Sequence, residues 1–347
     1  MHKKSLVGIL IAAAVLTMAC LCCPTNLLTF LQSPTPTPTP TPLPPTPMPT
    51  PTLEPTPAGE VPVCADDLAR ILDDSENKFT PGRNLENLYT LVTYVVSGDT
   101  ISSPTIEKGV PGSVTFDQQD TSTQEKIWQF VTDVVPADQR TELAHFVIYT
   151  DGANNSLGAV DQTDDPHYWN LEIDIRDARN FPDLATTVIH ELAHLITLND
   201  TQVTTDYKVF YSPDNKDVFS QEAATCSTYF IFEGCSHQDS YINSFFNQFW
   251  PDIYPEWKTI DAETDPDTLS AKLDSFYQEY SDQFVSDYAA TNPEEDIAES
   301  FMFFVFAPKP AGATISEQKI LFFYKYPELV RLRDRLTANL CNHLSMP

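Results

Sequence analysis

The clearest pattern of apolar and polar positions lies in the middle of the chain and predicts a helix that begins near Phe181 and ends near Asn199. Pro182 is tolerated in a first helical turn, and Asp183 is favourable at the positive end of the helix dipole. Apolar residues then recur at helical spacing: Leu184, Val188, Ile189, Leu192, Leu195 and Ile196. This stripe predicts that one face of the helix is buried.

Three further helices are predicted. Asn292 is a good N-cap and Pro293 a good first residue, so a helix should begin there and continue through the apolar run to Phe306. The segments Leu85–Val96 and Thr123–Val134 are also predicted to be helical and to pack behind a sheet.

Two strands are predicted upstream of the central helix. Phe146–Asp151 is a short apolar run, and His167–Ile175 alternates, with apolar residues at Leu171, Ile173 and Ile175. A loop rich in glycine, asparagine and aspartate separates them. Strands and helices together predict a domain of the α+β class with a mixed sheet.

The N-terminal residues 1–23 resemble a targeting segment. Two lysines precede an uncharged stretch, Ser5–Ala19, as in a secretory signal. Cys20 then fits a bacterial lipoprotein signal, in which this cysteine carries the lipid. An uncleaved transmembrane anchor over Ser5–Cys23 is the alternative, since that run is close to bilayer-spanning length. Both hypotheses place the rest of the chain outside a bacterial cytoplasm, at the cell surface.

Residues 24–60 are predicted to be an extended linker. The repeat of threonine and proline over Ser33–Pro57 excludes helix and sheet and favours polyproline II. The remainder, residues 61–347, is long enough for one sizeable domain. We therefore expect a folded domain held away from the membrane.

Four cysteines fall in the predicted domain, and outside the cytoplasm they are expected to form disulfides. Four cysteines permit three pairings, of which we favour Cys226–Cys235 and Cys64–Cys341. The formal net charge of −29 repels nucleic acid and anionic lipid. We expect a monomer that meets the membrane only through its anchor. The acid-rich loop Asp161–Asp165 is a candidate for structural calcium.

The most informative motif is His190-Glu191-Leu192-Ala193-His194. Residues four apart on a helix share a face, so His190 and His194 can bind one zinc ion while Glu191 flanks it as general base. Catalytic zinc usually has three protein ligands. One candidate for the third is Asp200, but the bend it requires has Thr197 where a glycine would be needed.

The other candidate third ligand is Glu295, in the first turn of the predicted helix after Asn292. A glutamate from a second helix would complete a site of two histidines and one glutamate. Glu299 lies on the same face of that helix. The structural alternative is that Glu295 closes a capping box with Asn292.

The histidine motif, taken with the downstream residues Tyr288, Thr291, Asn292, Glu295, Ala298, Glu299 and Phe301, resembles gluzincin metallopeptidases related to the anthrax lethal factor catalytic domain. The resemblance implies that His190, His194 and Glu295 bind zinc and that Glu191 activates water. It also implies that Tyr288 stabilises the oxyanion and that Glu299 supports a ligand histidine. For Tyr288 the alternative is an ordinary packed tyrosine.

The family resemblance also implies a zincin-like fold, in which an edge strand lies beside the histidine helix and pairs with an extended substrate. The strand His167–Ile175 is positioned to take that role. The segment between the two motifs is longer than in the family, which predicts an inserted, mainly helical segment over Thr201–Asp282.

These observations predict a surface-tethered zinc peptidase acting on peptide or protein substrates. A binding protein that uses the same scaffold without cutting is the alternative, although intact Glu191 and Tyr288 argue against it. A structural surface protein with a coincidental histidine motif is the third hypothesis.

Overall fold

The computed structural model describes residues 62–75, 88–152 and 156–345, all within one compact unit, Glu54–Pro347. The predicted anchor and the linker up to residue 60 lie outside the described residues. The helices are α1 Ala65–Asp74, α2 Thr115–Gln119, α3 Thr121–Val134, α4 Phe181–Leu198, α5 Tyr207–Phe210, α6 Lys216–Ala223, α7 Tyr241–Phe249, α8 Tyr254–Asp261, α9 Pro266–Glu279, α10 Pro293–Phe306, α11 Ile315–Phe323 and α12 Pro327–Leu344. The strands are β1 Tyr89–Ser97, β2 Thr100–Ile106, β3 Leu143–Thr150, β4 Gly158–Gln162, β5 Trp169–Asp174, β6 Val203–Thr205 and β7 Gly234–Ser236.

The main sheet has five strands in the order β2-β1-β3-β5-β4. Strands β3 and β5 are parallel, and the other neighbouring pairs are antiparallel. The sheet is therefore mixed and is combined with many helices, as expected for the α+β class. The two strands that the sequence predicted are its two parallel members.

The prediction of a helix over Leu85–Val96 is wrong where the structure describes that segment. Tyr89–Ser97 is strand β1, which pairs with both β2 and β3. Its apolar residues also fit a helical spacing, but the segment is rich in valine, threonine and tyrosine, whose side chains favour a pleated, half-buried surface.

The identity of the edge strand also differs from the prediction. Strand β5 lies inside the sheet, and β4 forms the edge beyond it. A Cβ atom on Gly158 would lie 2.5 Å from Thr187 Cγ2 of α4 and 3.0 Å from Glu172 O. Glycine at this position therefore allows the edge strand to approach the histidine helix closely.

Helices α4 and α10 form the centre of the domain, and α3 confirms the helix predicted over Thr123–Val134. Helix α4 begins at Phe181 and ends at Leu198, as the sequence indicated, and nearly all its residues are buried. Helix α10 begins directly after Asn292 and is buried along most of its length. Two helices of mainly buried residues thus hold the predicted ligands.

The segment 201–282 holds the five helices α5–α9 and the two-stranded sheet of β6 and β7. Its aromatic residues join the main hydrophobic core, where Phe245, Trp250 and Phe276 are almost completely buried. The segment is therefore packed as part of the domain.

Both favoured disulfides are present. Cys64–Cys341 joins the start of α1 to α12, and Cys226–Cys235 closes a short loop before β7. Among the described helices, none combines the length and apolar character that a membrane span requires.

Candidate metal centre

Three potential metal ligands from two helices converge on one point. In α4, His190 Nε2 and His194 Nε2 lie 3.1 Å apart. Glu295 Oε2, from the first turn of α10, lies 2.9 Å from His190 Nε2 and 3.3 Å from His194 Nε2. Both histidines are buried. The two motifs of the sequence are therefore brought together in one cluster.

The chemistry of this cluster fits a bound zinc ion. Ligand atoms about 2.0–2.2 Å from a tetrahedral zinc lie roughly 3.2–3.5 Å from one another, close to the separations in the cluster. The Nδ1 atom of His190 lies 2.9 Å from Glu299 Oε1. A neutral imidazole that donates its Nδ1 proton to Glu299 has a lone pair on Nε2, and this lone pair faces Glu295. In this tautomer, a zinc ion placed among the three electron-pair donors would satisfy all of them at once.

Glu299 holds His190 in place from the side opposite the cluster. Its Oε1 atom faces His190 Nδ1, and its Oε2 atom accepts a hydrogen bond of 2.5 Å from Ser286 Oγ. Glu299 is almost completely buried. Both carboxylate oxygens are therefore satisfied, and the histidine is fixed in the orientation that aims Nε2 at the cluster.

We expect Glu299→Gln to weaken zinc binding by about 10- to 100-fold, as loss of such a supporting carboxylate commonly does. The amide is similar in shape but does not stabilise a donated Nδ1 proton as strongly. Competition with a chromogenic chelator would measure this effect. The control is Glu317→Gln, a change at a carboxylate on α11. Equal zinc affinities of the two variants would contradict the role of Glu299 in supporting His190.

Glu191 lies beside the cluster and lines the same cavity. Burial raises the pKa of Glu191, while the two neighbouring histidines and the backbone N–H of Val160 in β4 oppose that rise. Glu172 of β5 lies nearby, and burial together with repulsion from Asp161 and Glu191 raises the pKa of Glu172 to about 7. Of the two carboxylates, Glu191 lines the cavity beside the cluster and is placed to accept a proton from a bound molecule.

Tyr288 lies over the cluster in a short 3₁₀ turn, Tyr288–Ala290, just before α10. Its ring stacks on that of His190, with the centroids 5.5 Å apart. Burial, with the nearby carboxylates Glu295 and Glu191, raises the pKa of Tyr288 well above its usual value. The phenol therefore remains protonated and can donate a hydrogen bond.

The start of α10 explains how Glu295 reaches the histidines. Asn292 Oδ1 accepts the backbone N–H of Glu295 at 2.7 Å, which confirms the predicted N-cap. The Glu295 carboxylate faces the histidines rather than closing a capping box. The next residue, Asp296, is fully buried with Lys319 at 2.6 Å and Trp250 Nε1 at 2.8 Å. These contacts fix the first turn of α10.

The other acidic candidates lie elsewhere. Asp200 pairs with His167 and is not one of the residues that converge with the two histidines. The carboxylates of Asp151, Asp174 and Asp177 do approach one another, but they are outside the loop Asp161–Asp165 that was the candidate for calcium.

A cavity of about 1490 Å³ opens over the cluster. Edge strand β4 contributes Gly158, Ala159 and Val160 to its wall, and Tyr288, Glu191 and Glu295 also line it. The rest of the wall comes largely from the segment 201–282. The cluster is therefore open to a ligand that lies along the edge strand.

No family model, curated protein or solved structure matches the chain. The interpretation of the site therefore depends on its own geometry. That geometry adds Ser286, Glu172, Glu233 and Glu294 to the residues singled out in the sequence. Of these, only Ser286 and Glu294 lie close in sequence to a predicted ligand, and no motif marked them.

Proposed function

We propose that the chain is a zinc-dependent peptidase. The observation that carries the proposal is the convergence of His190, His194 and Glu295, with Glu191 beside them in an open cavity. His190, His194 and Glu295 would hold the metal. Zinc, when bound, supplies a Lewis acid that promotes ionisation of water and polarises a carbonyl group.

The remaining steps fall to residues of the chain. Glu191 takes a proton from the attacking water and passes it to the leaving amine, a dual role that its position in the cavity beside the cluster supports. Tyr288 donates its hydroxyl proton in a hydrogen bond to the oxygen that becomes negative. Glu299 and Ser286 keep His190 aimed at the metal.

The position of β4 favours a peptide over a smaller substrate. It is the outer strand of the sheet, and Gly158, Ala159 and Val160 line the cavity. An extended peptide that pairs with the free edge of β4 would pass in front of Glu191. Main-chain pairing of this kind binds many sequences, so side-chain contacts elsewhere must set the preference.

We also propose that the peptidase acts outside the cytoplasm, on a tether. Two disulfides in the described residues support an oxidising compartment. The N-terminal sequence supports an anchor and an extended linker, as argued above from residues 1–60.

The test is cleavage of a degenerate peptide library by the purified, zinc-loaded protein, with products identified by mass spectrometry. We expect cleavage that a chelator abolishes and that added zinc restores. A zinc-loaded protein that cleaves no member of the library would count against the proposal.

A further inference from the structure

A second wall of the cavity, beside the cluster of His190, His194 and Glu295, is formed by two carboxylates and several aromatic rings. Glu233 precedes β7 in the segment 201–282, and Glu294 directly precedes the predicted ligand Glu295. Both line the cavity. They are close enough to repel each other electrostatically, and Glu233 also interacts with His194. This wall therefore adjoins the place where a bond would be cut.

The two carboxylates of this wall are half-buried. Lys258, which also lines the cavity, interacts with Asp261, and its Nζ atom lies 5.8 Å from the centre of the Tyr254 ring. Among the described residues, no salt bridge joins Glu233 or Glu294 to a lysine or arginine. The two carboxylates are therefore open to hydrogen bonds from a basic group that enters the cavity.

Aromatic rings adjoin Glu294 in the same wall of the cavity. Tyr229 donates its hydroxyl to Glu294 Oε1 at 3.0 Å and stacks on Phe246 with centroids 4.0 Å apart. Tyr254 and Trp257 stack on each other at 5.3 Å. All four rings line the cavity. Aromatic faces beside carboxylates attract guanidinium and ammonium groups.

We infer that Glu233 and Glu294 form a subsite for a basic side chain, arginine or lysine, of the peptide, next to the bond that is cut. The inference rests on the proposed function and names its substrate class. A basic side chain in this position would donate hydrogen bonds to the carboxylates, offset one negative charge and contact the aromatic rings. A main chain lying along β4 would carry its side chains past this wall.

The first arm of the test is the same degenerate library, cut by wild-type protein and by Glu233→Gln and Glu294→Gln. We expect arginine or lysine to be enriched about tenfold at one position flanking the cleaved bond. Each variant should lower the ratio of arginine to norleucine at that position about tenfold, since a charged partner is lost. Glu279→Gln, an exposed carboxylate on α9, is the matched control and should leave the ratio unchanged. Enrichment of neutral residues, or ratios unaffected by the variants, would overturn the inference.

The second arm measures binding without cleavage. Zinc-loaded Glu191→Gln protein is titrated with acetyl-Ala-Ala-Arg-Ala-Ala-amide and its norleucine counterpart, and tryptophan fluorescence reports binding because Trp257 lines the cavity. We expect the arginine peptide to bind about tenfold more tightly, with the difference lost when Glu233→Gln is added. If that selectivity is found but wild-type protein cleaves nothing, the subsite stands and the peptidase proposal fails. If wild-type protein cleaves peptides but neither arm shows selectivity for a basic residue, the peptidase proposal stands and the subsite inference fails.

Discussion

Replacing Glu191 with glutamine should lower the rate of peptide hydrolysis about a thousandfold or more, because removing a general base that also serves as general acid has effects of this size. Glutamine fills nearly the same space, so the cluster of His190, His194 and Glu295 should remain intact. Glu191 Oε atoms are not among the converging ligand atoms. Zinc content should therefore stay the same while turnover is lost.

The control for this prediction is Glu172→Gln, a change at the nearby carboxylate of β5. Glu172 does not line the cavity, so its loss should lower the rate less than tenfold. The two rates are measured on one library peptide with equal zinc loading. A Glu191→Gln protein with near wild-type turnover would show that another group activates the water.

Replacing Glu295 with alanine should weaken zinc binding more than a hundredfold, because one of three protein ligands is lost. The two histidines of α4 remain, but their Nε2 atoms would lack the carboxylate that now faces both. The rate of peptide hydrolysis should fall as zinc is lost from the site. Competition with a chelator at fixed zinc concentration gives the affinity.

Asp200→Ala is the informative control for Glu295→Ala, because the sequence left both carboxylates open as third ligand. Asp200 pairs with His167 in the structure, so its loss should leave zinc affinity within a fewfold of wild type. If Asp200→Ala lowers zinc affinity more than a hundredfold and Glu295→Ala leaves it within a fewfold of wild type, the third ligand is Asp200.

The parts of the fold that local sequence determines were predictable. Helix α4 has a helical apolar stripe with a proline in its first turn, and α10 has an asparagine cap that the structure confirms at Glu295 N. Signals of this kind act within one or two turns. Metal chemistry called for a third ligand but left Asp200 and Glu295 open, and the family resemblance pointed to Glu295.

The errors arise where packing decides between two local patterns. The segment around β1 fits helical spacing, but it pairs on both sides in the sheet. Strand β4 is only five residues long, a length that is common at sheet edges and leaves little pattern to detect. The wall formed by Glu233 and Glu294 depends on contacts between residues far apart in sequence, which no local pattern specifies.

The central claim is that His190, His194 and Glu295 bind one zinc ion. Its most direct test is the zinc content of the purified protein after dialysis, measured by elemental analysis beside Glu295→Ala. The account predicts about one zinc per wild-type chain and little in the variant, in keeping with three protein ligands. Equal zinc in both proteins would contradict the role of Glu295, and no zinc in wild type after zinc is supplied would contradict the metal site itself.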